Sequence, residues 1–209
     1  MLTDREIEER VLGAYDHSYI KYMDSYSEGQ SGVKPFRNRL DSPKEIKTAV
    51  TRFLKQFGLP LFRLKNLDVL GELVSDGESL VSIRIRPKNS FRAPLYYDMV
   101  LLHEIFHVLY NANKQRAGVT KWCRNNVHGV NVQPARAIEE IIVELAALKI
   151  VAAFDEINPR YFGPSLLYVR ERLSDLSRFG LSWSQYSETL RYCLKKASLL
   201  ALCFTEVAF

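Results

Sequence analysis

The chain has 209 residues, of which 47% are apolar and 25% are charged, a balance that excludes an intrinsically disordered protein. This length suffices for one well-buried core, so we expect a single domain over residues 1–209. The net charge of +5 comes from 29 basic and 24 acidic residues spread along the chain, which gives only a mild bias towards acidic partners.

Cysteine usage and hydropathy indicate the cellular compartment. Cys123, Cys193 and Cys203 are far apart and form no CxxC pair, so we expect free thiols. The first residues are charged, and no apolar run approaches the ~20 residues that a bilayer span requires. These features predict a cytoplasmic protein without a membrane anchor.

Residues 1–60 are predicted to form an N-terminal helical region. Apolar residues at helical spacing predict helices from Asp4 to Met23 and from Pro43 to Phe57, with a polar linker between them. Basic residues concentrate in two places, which would suit nucleic acid, although a solvated surface is the commoner meaning of such runs. The two places are the segment from Lys34 to Arg39 and the set of Arg84, Arg86, Lys88 and Arg92.

Residues 61–154 are predicted to contain a small sheet and the helices that bear the metal ligands. Alternation with a period of two around Val69 and from Leu80 to Ile85, broken by a polar turn, predicts an antiparallel hairpin. Helical spacing then predicts helices from Leu95 to Tyr110 and from Pro134 to Phe154. Residues 155–209 are predicted to form C-terminal helices from Ser165 to Phe179 and from Ser184 to Phe204.

The expected fold class is therefore α+β, a mostly helical domain with a small antiparallel sheet. We expect the sheet to pack on the helix from Leu95 to Tyr110, because that helix is apolar nearly all round and needs cover on several sides.

This helix contains the sequence HExxH, formed by His103, Glu104 and His107. The two histidines are one turn apart on the same helix face, with about 5 to 6 Å between their Cβ atoms. Two imidazole nitrogens at that spacing can hold one zinc ion. Glu104 stands beside the first histidine, where it can act as general base towards a metal-activated water molecule.

A catalytic zinc site takes a third protein ligand, and the helix from Pro134 to Phe154 offers several carboxylates. We expect Glu140 to be the third ligand and Glu144, one turn later, to orient a ligand histidine through its other ring nitrogen. Glu139 is expected to point away from the metal. The alternatives for the third ligand are Glu144, Glu139 and His128, which lies between the two helices in a predicted loop from Trp122 to Gly129.

HExxH followed by a glutamate on a later helix resembles the gluzincin metallopeptidases, the thermolysin-like clan, and is nearest in style to their short intracellular members. Glu140 and Glu144 match the ExxxD pattern of that clan with Glu in place of Asp. The resemblance covers roughly Val81 to Phe154 and implies a zincin-like fold and peptide-bond hydrolysis. It also implies that the strand from Val81 to Arg86 is the sheet edge beside the active-site cleft, where an extended peptide binds as an added strand.

In the clan that this sequence resembles, a histidine or tyrosine donates a hydrogen bond to the oxyanion of the tetrahedral intermediate. His128 is the first candidate for that catalytic role here, and Tyr110 and Tyr161 are alternatives.

The function expected from these observations is zinc-dependent hydrolysis of a peptide or protein substrate, with one zinc ion per chain. The alternative is a regulatory or nucleic-acid-associated protein whose metal site is structural or switch-like. The spacing of the histidines also suits iron, manganese or nickel in place of zinc.

Overall fold

The computed structural model describes residues 2–13, 43–75, 80–91, 94–113, 115–127, 132–154 and 162–208. The helices in these ranges are α1 (Asp4–Leu12), α2 (Lys44–Gln56), α3 (Pro94–Ala112), α4 (Gln115–Asn126), α5 (Val132–Ala152), α6 (Gly163–Ser177) and α7 (Tyr186–Ala208). The strands are β1 (Leu61–Arg63), β2 (Gly71–Ser75) and β3 (Leu80–Ile85). This composition confirms the α+β class.

The predicted helices correspond to α2, α3, α5, α6 and α7, and each begins and ends within four residues of its predicted bounds. Helix α1 begins at Asp4 as predicted and ends at Leu12, and the rest of that prediction, from residue 14, lies outside the described residues. None of the described helices combines the length and the hydropathy that a membrane span requires.

Helix α4 was not expected, because its residues from Trp122 onward were predicted to form a loop. Its sequence is mostly polar, and its buried face consists of little more than Val119 and Cys123, one turn apart. Trp122 stacks on Tyr192 of α7, with 4.8 Å between the ring centroids. A face this narrow gives a weak periodic signal, which is why the pattern did not indicate a helix.

Helix α5 lies at the centre of the molecule and packs against α3, α4, α6 and α7. Its apolar side chains are therefore fully buried on several faces, as Ile138, Ile142, Leu145 and Leu148 show. Helix α3 is covered by α5 on one side and by β2 and β3 on another. The two helices that carry the predicted metal ligands are thus in direct contact inside the core.

The sheet is mixed, which corrects the prediction of an antiparallel sheet. Its strand order is β1-β3-β2, with β2 antiparallel to β3 as in the predicted hairpin and β1 parallel to β3. Strand β2 begins at Gly71, after the segment around Val69 where the first strand of the hairpin was predicted. Strand β1 has only three residues, too few to show an alternating pattern or to indicate its direction.

Strand β3 is central in this sheet, so the expectation that the segment from Val81 to Arg86 forms the sheet edge beside the site is wrong. Strand β2 is the edge strand nearest the site, and among the described strands it pairs with β3 alone. Both β2 and β3 pack on α3, as expected for the sheet.

Candidate metal centre

Helix α3 carries His103 and His107 on the face that meets α5. Their side chains, and those of the α5 glutamates beside them, are only 12% to 14% exposed. The surrounding α3 residues are buried and apolar, including Leu102, Ile105 and Phe106. Polar groups in such surroundings require partners, because an unpaired buried charge is costly.

Three ligand atoms converge between the two helices. The Nε2 atoms of His103 and His107 are 3.2 Å apart. Glu140 Oε2 lies 3.3 Å from Nε2 of His103 and 3.6 Å from Nε2 of His107. Two imidazoles and one carboxylate of α5 therefore point at a common centre, and these residues form a group that could hold a metal ion.

The other nitrogen of each ring contacts a carboxylate. Nδ1 of His103 lies 2.7 Å from Glu144 Oε2, and Nδ1 of His107 lies 2.8 Å from Glu139 Oε1. An ionised carboxylate can only accept a hydrogen bond, so each Nδ1 carries the proton and donates it. In the neutral rings, both Nε2 lone pairs then face each other and the Glu140 oxygen.

This arrangement of acceptors favours positive charge at the centre. Burial alone would lower the pKa of His103, but its contacts with Glu140 and Glu144 raise that pKa to about 10. The pKa of His107 is also raised, by Glu139 and Glu140, against the effect of burial. Burial would raise the pKa of Glu140, but the two histidines hold that pKa well below its usual range. A proton or a metal cation would relieve the repulsion among the three acceptors.

The distances among these atoms fit zinc. Ligand atoms about 2.0 to 2.1 Å from a tetrahedrally coordinated ion lie roughly 3.3 to 3.4 Å from one another. The three observed separations of 3.2, 3.3 and 3.6 Å fall around this value. Neutral imidazoles and a carboxylate are also ligand types that zinc accepts. The residues present therefore fit the ion that HExxH predicts.

Glu104 is buried, with 6% of its surface exposed, and it is not one of the three converging ligands. Burial raises its pKa, and the positive charge of His103 and His107 acts in the opposite direction. The negative charges of Glu140 and of Glu72 in β2 raise the same pKa further. The Glu104 carboxylate is therefore near the three converging ligand atoms but is not one of them.

Gly71, the first residue of β2, lies close to Glu104. A Cβ atom at position 71 would lie 3.2 Å from Oε1 of Glu104 and 2.8 Å from Cγ1 of Val100. Both separations are shorter than ordinary contact between non-bonded atoms, which is about 3.5 to 4.0 Å for two carbons. The strand can lie this close to α3 because residue 71 has no side chain. A glycine inside a strand is the sequence signal for such an approach.

Tyr168 of α6 also contacts the centre. Its hydroxyl donates a hydrogen bond to Glu140 Oε2 over 2.9 Å, and its ring meets the ring of His103 edge-on at 5.9 Å. On the other side, Arg136 approaches Glu140 Oε1 at 3.5 Å. Nothing in the sequence pattern indicated Tyr168, because its contact depends on how α6 packs against α5.

The structure brings together His103, Glu104, His107 and Glu140, and it places Glu144 against His103. Glu139 does not point away as expected, since it contacts His107 instead. Tyr110 is fully buried, and its hydroxyl has no hydrogen-bond partner within the described ranges. His128 and Tyr161, the other two candidates for the oxyanion donor, lie outside the described residues.

The basic residues that suggested nucleic acid have intramolecular contacts where they are described. Arg84 pairs with Glu72 at 3.4 Å, and Arg86 donates to the carbonyl oxygens of Leu67 and Asp68. Lys88 lies over the ring of Tyr97 at 5.0 Å. Arg92 and the segment from Lys34 to Arg39 lie outside the described residues.

Comparison of the chain with protein-family models, with curated proteins and with solved structures found no match.

Proposed function

We propose that this protein is a zinc-dependent metallopeptidase of gluzincin type, in which His103, His107 and Glu140 hold one zinc ion and Glu104 is the general base. The observation that carries this proposal is the convergence of two Nε2 lone pairs and one carboxylate oxygen at tetrahedral spacing. Three acceptors in such contact require a proton or a metal cation between them, and the carboxylate of Glu104 on α3 remains available for proton transfer.

When bound, the cation supplies Lewis acidity, which lowers the pKa of water towards neutrality and polarises the carbonyl group of a peptide. Glu104 accepts a proton from the water molecule as the water oxygen forms a bond to the carbonyl carbon. Glu104 then delivers that proton to the amide nitrogen as the carbon–nitrogen bond breaks. The second proton of the water passes from the new carboxyl group to the amine, so the products are a carboxylate and an ammonium group. Burial of Glu104 raises its pKa, and a base with a raised pKa accepts the proton more readily.

Glu139 and Glu144 have matching roles in this proposal. Each accepts the Nδ1 proton of one histidine, which fixes the tautomer and turns the Nε2 lone pair towards the metal. The negative charge of each carboxylate also makes its imidazole a stronger donor to the cation. Tyr168 adds a hydrogen bond to Glu140 and so restrains the third ligand.

The edge of β2 that faces away from β3 suits an extended peptide, since among the described strands β2 pairs with β3 alone. Arg86 N donates to Leu70 O, so these two residues form a hydrogen-bonded pair. In an antiparallel pairing, hydrogen-bonded and non-hydrogen-bonded pairs alternate along the strand from that point. By this alternation the backbone groups of Gly71 and Leu73 point away from β3. A substrate chain could bind there as a further strand, with its scissile carbonyl near Glu104.

The number of protein ligands favours catalysis over a structural role. A structural zinc site is closed by four protein ligands, whereas a catalytic site has three and an open position. Within the described part of the chain, the cluster consists of three residues. Glu104 beside that cluster completes the set of groups that water-dependent hydrolysis needs.

The test uses Glu104→Gln together with His103→Ala. We expect the purified wild type to carry one zinc ion per chain and to cleave an unfolded protein. Glu104→Gln should keep the zinc and lose roughly 10²- to 10⁴-fold in rate, whereas His103→Ala should lose the metal. Glu188→Gln on the exposed face of α7 is the matched control and should change neither property. Full activity in Glu104→Gln would contradict the proposal.

A further inference from the structure

An open pocket of about 640 Å³ adjoins the metal centre between α5 and α6. Glu140 and Tyr168, which belong to the centre, are among its lining residues. Its walls also include Arg136, Arg172, Arg178 and Phe179. The proposed peptidase chemistry leaves these last four residues without a role, although a substrate bound at the metal would lie beside them.

The arginines line this pocket from both helices. Arg136 lies one turn before Glu140 on α5, and Arg172 lies one turn after Tyr168 on α6. The side chains of Arg136 and Arg178 are 77% and 79% exposed, so both can move to meet a ligand. The guanidinium of Arg172 lies over the ring of Tyr168, 5.1 Å from its centroid, and is less mobile.

Positive charge exceeds negative charge on these walls. Three guanidinium groups face two carboxylates, Asp175 and Glu140. Asp175 is 2.9 Å from Arg172 and 3.7 Å from Arg178, so it neutralises only part of their charge. The buried Nε of Arg172 has no hydrogen-bond partner among the described residues. Glu140 Oε2 faces the metal in the proposed function, so only its Oε1, 3.5 Å from Arg136, remains to offset the charge of that arginine.

The chemistry of the walls selects a carboxylate. The guanidinium group is planar and offers paired N–H donors that match the two oxygens of a carboxylate. Phe179 and Ala137 supply an apolar surface in the same pocket for the methylene groups that carry such a carboxylate. The space of about 640 Å³ exceeds what one small ion needs and suits an amino-acid side chain with its backbone.

We propose that this pocket is a specificity subsite that binds a carboxylate of the substrate, next to the peptide bond that is cleaved. The inference rests on the proposed peptidase function and names its substrate class, which is peptides with an acidic group flanking the scissile bond. The carboxylate comes from an aspartate or glutamate side chain or from the free C-terminus of a short peptide. Both sources present the same group to Arg172 and Arg178.

Binding is measured first, on the zinc-loaded Glu104→Gln variant, so that no cleavage is needed. The probes are fluorescein-labelled peptides of one alanine- and serine-rich sequence, with Glu, Gln or Lys at each position in turn and a free or amidated C-terminus. Fluorescence anisotropy gives each Kd. We expect one position, or the free C-terminus, at which the carboxylate peptide binds roughly tenfold or more tightly than its amide partner. The inference would be overturned if all the probes bound equally tightly or if no probe bound.

Substitutions then connect that preference to the pocket. Arg178→Gln and Arg172→Gln, each in the Glu104→Gln background, should remove most of the preference. Arg178→Glu should shift it towards the lysine peptide. Arg124→Gln, at an exposed position of α4 outside the pocket, is the matched control and should leave it unchanged. Arg178 is largely exposed, so its variants test the inference even if Arg172→Gln fails to fold. A carboxylate preference that survives all the pocket variants would also overturn it.

Cleavage of the same peptides by the wild type separates this inference from the proposed function. Cleavage without regard to acidic residues would retain the peptidase and reject the subsite. Carboxylate-dependent binding that the pocket variants abolish, without any cleavage, would retain the subsite and reject the peptidase.

Discussion

Replacement of Gly71 by alanine tests how closely the edge strand packs against Glu104, the proposed general base. The new Cβ would lie 2.8 Å from Cγ1 of Val100 and 3.2 Å from Oε1 of Glu104, so the strand or both side chains must move. Relief of the first contact requires a displacement of roughly 0.7 Å or more, since carbon atoms in contact are about 3.5 to 4.0 Å apart. We expect Glu104 to be displaced, whereas the three nearest atoms to the new Cβ include none from the proposed metal ligands.

We expect Gly71→Ala to lower the catalytic rate and to keep the metal bound. A misplacement of about 1 Å at a reacting group can lower the rate roughly 10²-fold, so we expect kcat/KM of Gly71→Ala to fall about 10- to 100-fold. The stability cost of overpacking is about 1 to 3 kcal/mol, of which alanine in place of glycine recovers up to about 1 kcal/mol. The assay is peptide cleavage together with zinc content and thermal unfolding.

Two companion variants isolate the cause. Val100→Ala combined with Gly71→Ala removes the shortest contact and should restore part of the lost activity. Gly118→Ala places a methyl group on the exposed face of α4, where the nearest atom is Nζ of Lys196 at 3.9 Å, and should leave activity unchanged. Wild-type activity in Gly71→Ala, or loss of zinc from it, would refute the reasoning.

The other predictions concern the metal and the core. Glu139→Gln and Glu144→Gln should each weaken zinc binding roughly 10- to 100-fold in a chelator competition, and equal affinity to wild type would count against their orienting role. Tyr168→Phe should weaken zinc binding in the same assay with little change in unfolding temperature, because it removes one hydrogen bond to Glu140. Zinc affinity should rise with pH between about pH 6 and pH 8, by up to roughly tenfold per unit for one displaced proton. The sign follows from the pKa of His103, which is raised to about 10 in the metal-free chain, so zinc must displace a proton throughout that range. Leu102→Ala, at a fully buried position of α3, should lower the free energy of unfolding by about 2 to 5 kcal/mol in urea titration.

The sequence was sufficient to predict the two helices of the site, α3 and α5, and the histidine and glutamate side chains that meet between them. The spacing of His103 and His107 is a local property of one helix, and so is the spacing of Glu140 and Glu144. Nearly continuous apolar flanks predicted that both helices are buried, and burial implied that these polar side chains pair with one another. Local geometry together with that energetic requirement predicted the group of side chains that meets between α3 and α5.

The contact of Glu139 with His107 could not be predicted in this way. Adjacent residues on a helix point about 100° apart, so Glu139 and Glu140 cannot face the same point. Which of them meets which histidine depends on the rotation of α5 and on its crossing with α3. Two histidines one turn apart present two separate Nδ1 atoms. Glu144 of α5 contacts the Nδ1 of His103, and Glu139 contacts the Nδ1 of His107.

The sheet failed to follow prediction for a different reason. Strand pairing is non-local, and β1 contributes too few residues for its pattern to indicate a partner. As a result the parallel pairing of β1 with β3 was missed, and β3 was assigned to the edge that β2 occupies. The closeness of Gly71 to Glu104 depends on this placement of β2, as the contact of Tyr168 depends on the placement of α6.

Anomalous diffraction at the zinc absorption edge, from crystals of the zinc-loaded protein, tests most directly whether His103, His107 and Glu140 hold the ion. We expect one strong peak per chain, about 2.0 to 2.2 Å from Nε2 of each histidine and from one oxygen of Glu140, with Glu104 outside bonding distance. A peak elsewhere, a peak bonded to Glu104 in place of Glu140, or no peak from zinc-loaded crystals would contradict the account.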